Sequence, residues 1–324
     1  DPDREGEAIA WHVEKLLRNN SALSKLNIHR VTFNEITKNA VLESLKEPRE
    51  IDENLVNAYL ARRALDFLVG FTLSPVLWRK LPGSKSAGRV QSVALRIISE
   101  RELEIEKFDP QEYWSIQGNF LNKDKKDINA RLTLFDGNKI DKLDIKNEKQ
   151  ANNIYETIKN SNFKVGTITK KEARRNPYPA FTTSTMQIES SRKLGLSASQ
   201  TMRTAQRLYE GTEINGDTTG LITYMRTDSV IMSNDAINQV RGFVNENYGA
   251  EYLPDSPRVY KSKAKNAQEA HECIRPTNIN LTPKDIKQYI TGEEFILYEI
   301  IWQRAVSSQM SSAILDQVAV DIMT

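Results

Sequence analysis

Tyr224 and Arg226 lie two residues apart in the run Gly220-Leu221-Ile222-Thr223-Tyr224-Met225-Arg226-Thr227-Asp228-Ser229. The run Leu221 to Arg226 predicts a short strand, on which Ile222, Tyr224 and Arg226 share a face. A phenol and a guanidinium side by side suit attack on a phosphodiester. Tyrosine is a weak nucleophile at neutral pH because its ordinary pKa is about 10. A fixed cation favours the phenolate and neutralises charge gathering on phosphorus in the transition state. Taken alone, Tyr-x-Arg more often marks an edge tyrosine beside a surface arginine, so the pair gains meaning only from its company.

That company begins at the first residue. In an extended stretch, Asp1, Asp3 and Glu5 of Asp1-Pro2-Asp3-Arg4-Glu5-Gly6-Glu7 fall on one face. Carboxylates so close repel one another unless a cation holds them, and hard oxygen ligands favour Mg²⁺ bridging to phosphate. Ser86-Ala87-Gly88-Arg89-Val90-Gln91-Ser92 opens a helix with small residues. Its free amides can meet a phosphate, with Gly88 permitting close approach and Gln91 reaching sugar or base. Arg62, Arg63 and Asp66 share a helix with Arg79. Arg62 and Asp66 have the spacing of an ordinary helix ion pair, which leaves Arg63 as the better phosphate ligand. Phe67, Phe71 and Trp78 nearby suit base stacking, although Phe67 at helical spacing also suits a core. His271 can shuttle a proton or contact phosphate, whereas a lone histidine is more often structural. No two-histidine zinc spacing occurs.

The composition is compatible with a nucleic-acid groove without announcing one. The chain has 324 residues, 39% hydrophobic and 27% charged, with a net charge of only +2. Positive charge is clustered instead: Arg79, Lys80, Lys85, Arg89 and Arg96 occur without an intervening acid. Arg258, Lys261, Lys263 and Lys265 form a second patch, and Lys170, Lys171, Arg174 and Arg175 a third. Such patches suit a polyanion held in a groove. Cys273 is the only cysteine, so a disulfide framework and a cysteine-rich zinc site are excluded. No apolar run is long enough to span a bilayer, and a reducing, cytoplasmic setting fits. The opening on Asp1-Pro2-Asp3 suggests a piece of a longer protein.

Elements must then position these residues. Apolar spacing predicts a helix over residues 7–18, a strand over 31–34 and a helix over 37–45. A helical stretch over 55–81 is expected to break at Ser74-Pro75, and another helix covers 90–106. Strands follow near 113–121, 130–135 and 163–171, with a helix over 148–159 between them. After the linker Asn176-Pro177-Tyr178-Pro179, helices near 184–194 and from Ser197 to Gly211 lead to the Tyr224 strand, as in a winged helix–turn–helix. Ser197 and Gln200 form a capping box, and Gly211 closes the helix. Further helices are expected over 234–247 and 293–310, then a strand over 314–323.

The combination resembles the bacterial DNA topoisomerase I family, type IA. The resemblance rests on Asp1–His12, Phe33-Asn34-Glu35-Ile36-Thr37, Ala61-Arg62-Arg63, Ser86–Ser92, Tyr178–Thr185, Gly220–Ser229 and Gln268–Pro276, in the family's order. It implies an α+β multidomain chain with a toroidal type IA architecture. Residues 1–48 would be the later part of a Toprim α/β domain and 49–109 a helical DNA-binding segment. Residues 110–176 would be a β-containing arch, 177–310 a winged-helix-like gate domain, and 311–324 a strand returning to the arch.

The resemblance also implies roles. Tyr224 would form a covalent bond to the 5′ phosphate of a broken strand, with Arg226 stabilising that phosphate and His271 assisting. Asp1, Asp3 and Glu5 would be the Mg²⁺ motif. Arg62, Arg63, Asp66, Arg79, Ser86, Ala87, Gly88, Arg89, Val90, Gln91 and Arg226 would line the path of single-stranded DNA. The implied activity is ATP-independent relaxation of negatively supercoiled DNA by a cytoplasmic, nucleoid-associated monomer. A phosphotyrosine bond keeps the energy of the phosphodiester, and no P-loop is present. The family's glutamate and lysine from an earlier Toprim strand would precede Asp1, so these 324 residues by themselves are expected not to relax DNA. A topoisomerase III-like decatenase and a non-catalytic winged-helix DNA binder are the alternatives, and a Toprim primase has no use for the Tyr224 segment.

Overall fold

A computed structural model of the chain describes residues 1–214, 216–261, 272–290 and 292–324. In chain order it contains α1 (Arg4–Arg18), α2 (Lys38–Ser44), α3 (Glu53–Lys80) and α4 (Arg89–Glu106). The short strands β1 (Gln117–Leu121), β2 (Asp127–Arg131), β3 (Leu134–Phe135) and β4 (Asn138–Lys139) follow. Next come α5 (Glu148–Ile158), β5 (Lys164–Arg175), α6 (Thr183–Leu194) and α7 (Ala198–Glu210). The chain continues through β6 (Thr212–Ile214), β7 (Asp217–Thr219), α8 (Asn234–Asn247), α9 (Pro283–Ile286), α10 (Gly292–Ser308) and β8 (Ala313–Met323). Two compact units are formed: Asp1–Phe67 with Arg174–Ala313, and Leu68–Ala173 with Ile314–Thr324.

The first unit has its core on α6, α7, α8 and α10. Their inward side chains include Met186, Leu208, Val240, Leu297 and Ile301, all buried. On α8 the buried positions Ile237, Val240, Phe243 and Val244 repeat at helical spacing, as the sequence predicts. Ser197 and Gln200 make the reciprocal capping box at the start of α7. Gly211 ends α7 at φ +102°, a conformation in which a Cβ would clash. The hairpin β6–β7 follows directly, pairing Thr212 with Thr219 and Ile214 with Asp217. This hairpin has no counterpart in the sequence reading, which ran from α7 straight to the tyrosine segment.

Two expected strands of this unit are absent. Residues 31–34 form no strand, and nearby pairing is limited to the single bridge between Arg30 and Arg49. Residues 221–226 are irregular, with one bridge from Ile222 to Pro276. Several amides here nevertheless find carbonyls. Those of Gly220, Leu221, Thr223 and Tyr224 donate to the carbonyls of Ile36, Leu208, Arg275 and Asn34 respectively. Four separate partners replace one ladder, so no continuous strand forms. Side chains do not alternate between core and solvent either, since Leu221 to Met225 are all at most 3% exposed.

The second unit carries the hairpins β1–β2 and β3–β4, helix α5 and the paired strands β5 and β8. Antiparallel register runs from Gln117 opposite Arg131 to Leu121 opposite Asp127. Asp136 and Gly137, at φ +48° and +76°, form the turn between β3 and β4. Helix α3 passes through Pro75 without the expected break. The ring holds φ near its helical value, and the helix loses one amide donor there rather than its course. Phe67 is 60% exposed, which corrects its expected place in a core.

The geometry at Gly211 yields a test. A Cβ there would lie 2.6 Å from the Thr219 carbonyl oxygen, at a φ that L residues rarely adopt. Gly211→Ala is expected to destabilise the first unit by on the order of 2 kcal/mol. A lower thermal midpoint by circular dichroism is the expected reading, and an unchanged midpoint contradicts the strain.

Candidate functional site

Helix α1 begins where the acidic motif was expected to be extended. Asp3 is its N-cap: Oδ1 accepts from the Gly6 amide at 2.8 Å, and the carbonyl accepts from the Glu7 amide. Glu5 therefore stands in the first helical turn, and the shared extended face of Asp1, Asp3 and Glu5 is replaced by a cap and a helix. A Cβ on Gly6 would lie 2.4 Å from the Asp1 carbonyl oxygen, so the chain folds tightly back at this point.

The other carboxylate oxygen of Asp3 faces the tyrosine. The Tyr224 hydroxyl donates to Asp3 Oδ2 at 2.7 Å. Arg226 Nη1 stands 3.7 Å from the same oxygen, with its side chain half exposed. The structure thus gathers Asp3, Tyr224 and Arg226 around one oxygen atom. Tyr209 packs edge-on against the Tyr224 ring, 5.2 Å between centroids.

Burial, then the hydrogen bond and charge of Asp3, push the Tyr224 pKa well above the ordinary phenol value. Arg226 acts in the opposite direction, as the sequence suggests, but it is outweighed. The phenol is therefore protonated and engaged here. Tyr209 is pushed up to about 12 by burial and by Asp3, and its hydroxyl finds no hydrogen-bond partner among the described residues. Arg226, half exposed beside Asp3 Oδ2, is the cation within reach of an anion that approaches Tyr224.

The tyrosine backbone is held from three sides. Its amide donates to the Asn34 carbonyl at 2.7 Å. Thr183 Oγ1 reaches the carbonyls of Met225 and Thr227 at 2.8 and 3.1 Å. Thr223 Oγ1 donates to the Cys273 carbonyl at 2.7 Å. The Cys273 thiol itself is sealed in the core, and burial raises its pKa to about 12.

Beneath the acidic motif lies a residue that the sequence reading did not single out. Glu7 is fully buried. Its carboxylate accepts from Arg30 Nε at 3.1 Å, from both terminal nitrogens of Arg49 at 2.8 Å, and from the Asp52 amide at 2.7 Å. Arg30 also donates to the Asp1 carbonyl at 2.6 Å. The chain segment carrying Asp1 is thereby tied to the Glu7 cluster. In the sequence Glu7 looked like any other acid of the motif, because its arginine partners are 23 and 42 residues away.

Arg62 Nη1 is 3.4 Å from Glu5 Oε1, so its reach is toward the acidic motif. Arg63 donates to the Tyr59 hydroxyl at 3.3 Å and is otherwise on an exposed face. Asp66 lies one turn after Arg62 on the same helix. In the second unit, Gly88 precedes the first residue of α4, whose amides have no side-chain cap. Trp78 Nε1 and the Ala87 amide fix this loop through Lys85 O and Ser74 Oγ, and Gln91 reaches Ser86 Oγ. Arg89 and Val90 form the first turn of α4, and Arg79 donates to Pro75 O at 3.3 Å. His271 lies outside the described residues.

Among the described residues, no group of three or more histidine, cysteine, aspartate or glutamate side chains is gathered closely enough to hold a metal ion. The oxygens are of the right hard type for Mg²⁺. In this arrangement, however, Asp3 is committed to Gly6 and Tyr224 while Glu5 faces Arg62. The acidic motif as folded here does not fit a bound metal ion.

Comparison with known proteins gives consistent matches. Residues 50–324 match a family model described as DNA topoisomerase. DNA topoisomerase 1 of Rickettsia bellii is 54% identical over 98% of this chain and 40% of its own length. DNA topoisomerase 1 of Zymomonas mobilis is 52% identical over 99% of this chain and 25% of its own length. Among solved structures, full-length topoisomerase I from Thermotoga maritima superposes with a TM-score of 0.79 and 36% identity, covering 100% of this chain and 50% of that one. The chain thus spans half or less of the length of these relatives.

The Glu7 cluster makes stability depend on pH. Burial alone would raise its pKa, but hydrogen bonds from Arg49, the Asp52 amide and Arg30 outweigh it and bring the value from 4.5 down to about 2. A folded pKa below the unfolded one gives stability that is complete above about pH 5 and lost as pH falls toward 2, on the order of 3 kcal/mol. Glu7→Gln is expected to lower the thermal midpoint at pH 7 and to flatten its fall between pH 5 and 2. A variant with the parent's acid profile would show that Glu7 does not carry it.

Proposed function

The chain belongs to the bacterial DNA topoisomerase I family, type IA, and from that premise we propose that Tyr224 is the nucleophile of a DNA strand-breaking reaction. The carrying observation is the convergence of the Tyr224 hydroxyl, the Asp3 carboxylate and the Arg226 guanidinium on one oxygen. A hydroxyl nucleophile beside a cation is what phosphoryl transfer requires, because its transition state spreads negative charge over the equatorial oxygens.

In this reading the protein relaxes negatively supercoiled DNA. Tyr224 attacks a phosphodiester of single-stranded DNA, its oxygen bonds to phosphorus, and the bond to the 3′ oxygen breaks. The phenolic proton is lost as the departing 3′ oxygen gains one. The resulting 5′-phosphotyrosine link retains the energy of the broken bond, so ATP is not required. A second strand passes the break before the 3′ hydroxyl reverses the reaction. Arg226 neutralises the phosphate. His271 is proposed to assist, and Arg62, Arg63, Asp66, Arg79 and Ser86–Gln91 to contact the strand. Mg²⁺ at Asp1, Asp3 and Glu5 belongs to the same proposal, and it would require Asp3 to release Tyr224 and Glu5 to release Arg62.

The five-part division and the winged-helix identity of α6, α7 and the β6–β7 hairpin belong to the same proposal. Among the described residues, no helix is long and apolar enough to cross a membrane; a place at the nucleoid belongs to the same proposal. The helix–turn–helix with its hairpin also supports the rival reading, a DNA binder without chemistry.

Trapping separates the two. The full-length protein containing this chain, denatured rapidly during reaction with single-stranded DNA, is expected to carry covalently attached DNA. Tyr224→Phe is expected to lose that adduct and to reduce plasmid relaxation by more than about a thousandfold. A persistent adduct in the variant assigns the nucleophile elsewhere, and no adduct in the parent favours the binder.

A further inference from the structure

The segment carrying Tyr224 is flanked by two strips of chain that have no regular secondary structure. On one side, the carbonyls of Asn34 and Ile36 accept from the amides of Tyr224 and Gly220 at 2.7 and 2.8 Å. On the other, the Arg275 carbonyl accepts from the Thr223 amide at 2.9 Å. The side chains of these flanking strips then meet each other. Arg275 Nη2 stands 3.2 Å from Glu35 Oε2, across 240 residues of sequence. Arg275 is only 8% exposed, so this ion pair is largely shielded from water.

Arg275 has two further partners close by. Nη2 donates to Glu272 Oε2 at 2.6 Å and Nη1 to the Pro276 carbonyl at 3.0 Å. Glu272 is itself fixed, its Oε1 accepting from the Ser233 amide at 2.7 Å. Glu35 is likewise oriented by Thr37, whose hydroxyl donates to Oε1 at 3.1 Å. A guanidinium so enclosed needs compensating charge. Glu272 supplies that from Arg275's own strip, three residues away. Folding therefore does not need Glu35 in order to neutralise Arg275. What Glu35 adds is a tie from the opposite strip.

We propose that Glu35 and Arg275 form a clasp across the Tyr224 segment that positions the nucleophile for both strand cleavage and resealing. The inference rests on Tyr224 being the nucleophile. The clasp acts on the backbone at Thr223 and Tyr224 and touches neither the phenol nor the phosphate, so Glu35 is a positioning residue. Attack and reversal pass through the same arrangement of Tyr224 oxygen, phosphorus and 3′ oxygen. A looser segment therefore slows both directions by one factor and leaves their ratio unchanged.

The test uses the full-length protein and a single-stranded oligonucleotide. Glu35→Gln is expected to slow single-turnover cleavage and religation alike by about tenfold. The cleaved fraction at equilibrium, the oligonucleotide dissociation constant and the thermal midpoint should stay at parental values. Glu35→Asp, which keeps the charge, should recover part of both rates. Parental rates in Glu35→Gln overturn the clasp, as does a loss confined to one direction or to DNA binding. If Glu35→Gln does not fold, Arg275→Lys and Glu35→Asp decide, and parental rates in both overturn it. Failure of the nucleophile assignment looks different: Tyr224→Phe would still form an adduct, or the parent would form none.

Discussion

A single hydrogen bond, from the Tyr224 hydroxyl to Asp3 Oδ2, joins positions 221 residues apart and defines the site. It exists only if three things are true at once. Helix α1 must start at Arg4, so that Asp3 caps it with one oxygen and offers the other. The irregular segment 220–226 must be held so that the phenol points at α1. The first residues must be anchored, a task performed by Arg30 through the Asp1 carbonyl and Glu7. Each condition is met by polar groups with few freedoms, and most of them are shielded from water.

The same bond sets the electrostatic character of the resting site. A carboxylate 2.7 Å from a buried phenol keeps the proton on the phenol. The half-exposed Arg226 cannot offset this while Asp3 is unopposed. A tyrosine held this way keeps its proton and donates it to Asp3.

Much of this architecture was legible in the sequence, and the failures have a common cause. The capping box of Ser197 and Gln200, the stop at Gly211 and the buried face of α8 depend on residues within one or two turns of each other. Local chemistry fixed them, and they are found as expected. Tyr224 and Arg226 were visible because they sit side by side. The supposed strand around them was not, because the amides of Leu221, Thr223 and Tyr224 go to three separate segments, at Leu208, Arg275 and Asn34, rather than to one neighbour. Glu7, Glu35 and Arg275 were harder still. Their meaning lies in partners up to 240 residues away, and nothing in their immediate neighbourhood announces it.

The sealed thiol of Cys273 has a practical side. It is the chain's sole cysteine, with no exposed surface and a pKa raised to about 12, so maleimides and other thiolate-seeking reagents find almost nothing to modify. Any cysteine engineered onto an outer position becomes, in effect, the unique handle within these residues. Fluorophores or spin labels can then be attached one site at a time without first removing the native sulfur, whose replacement would disturb a tightly packed region next to the Tyr224 segment.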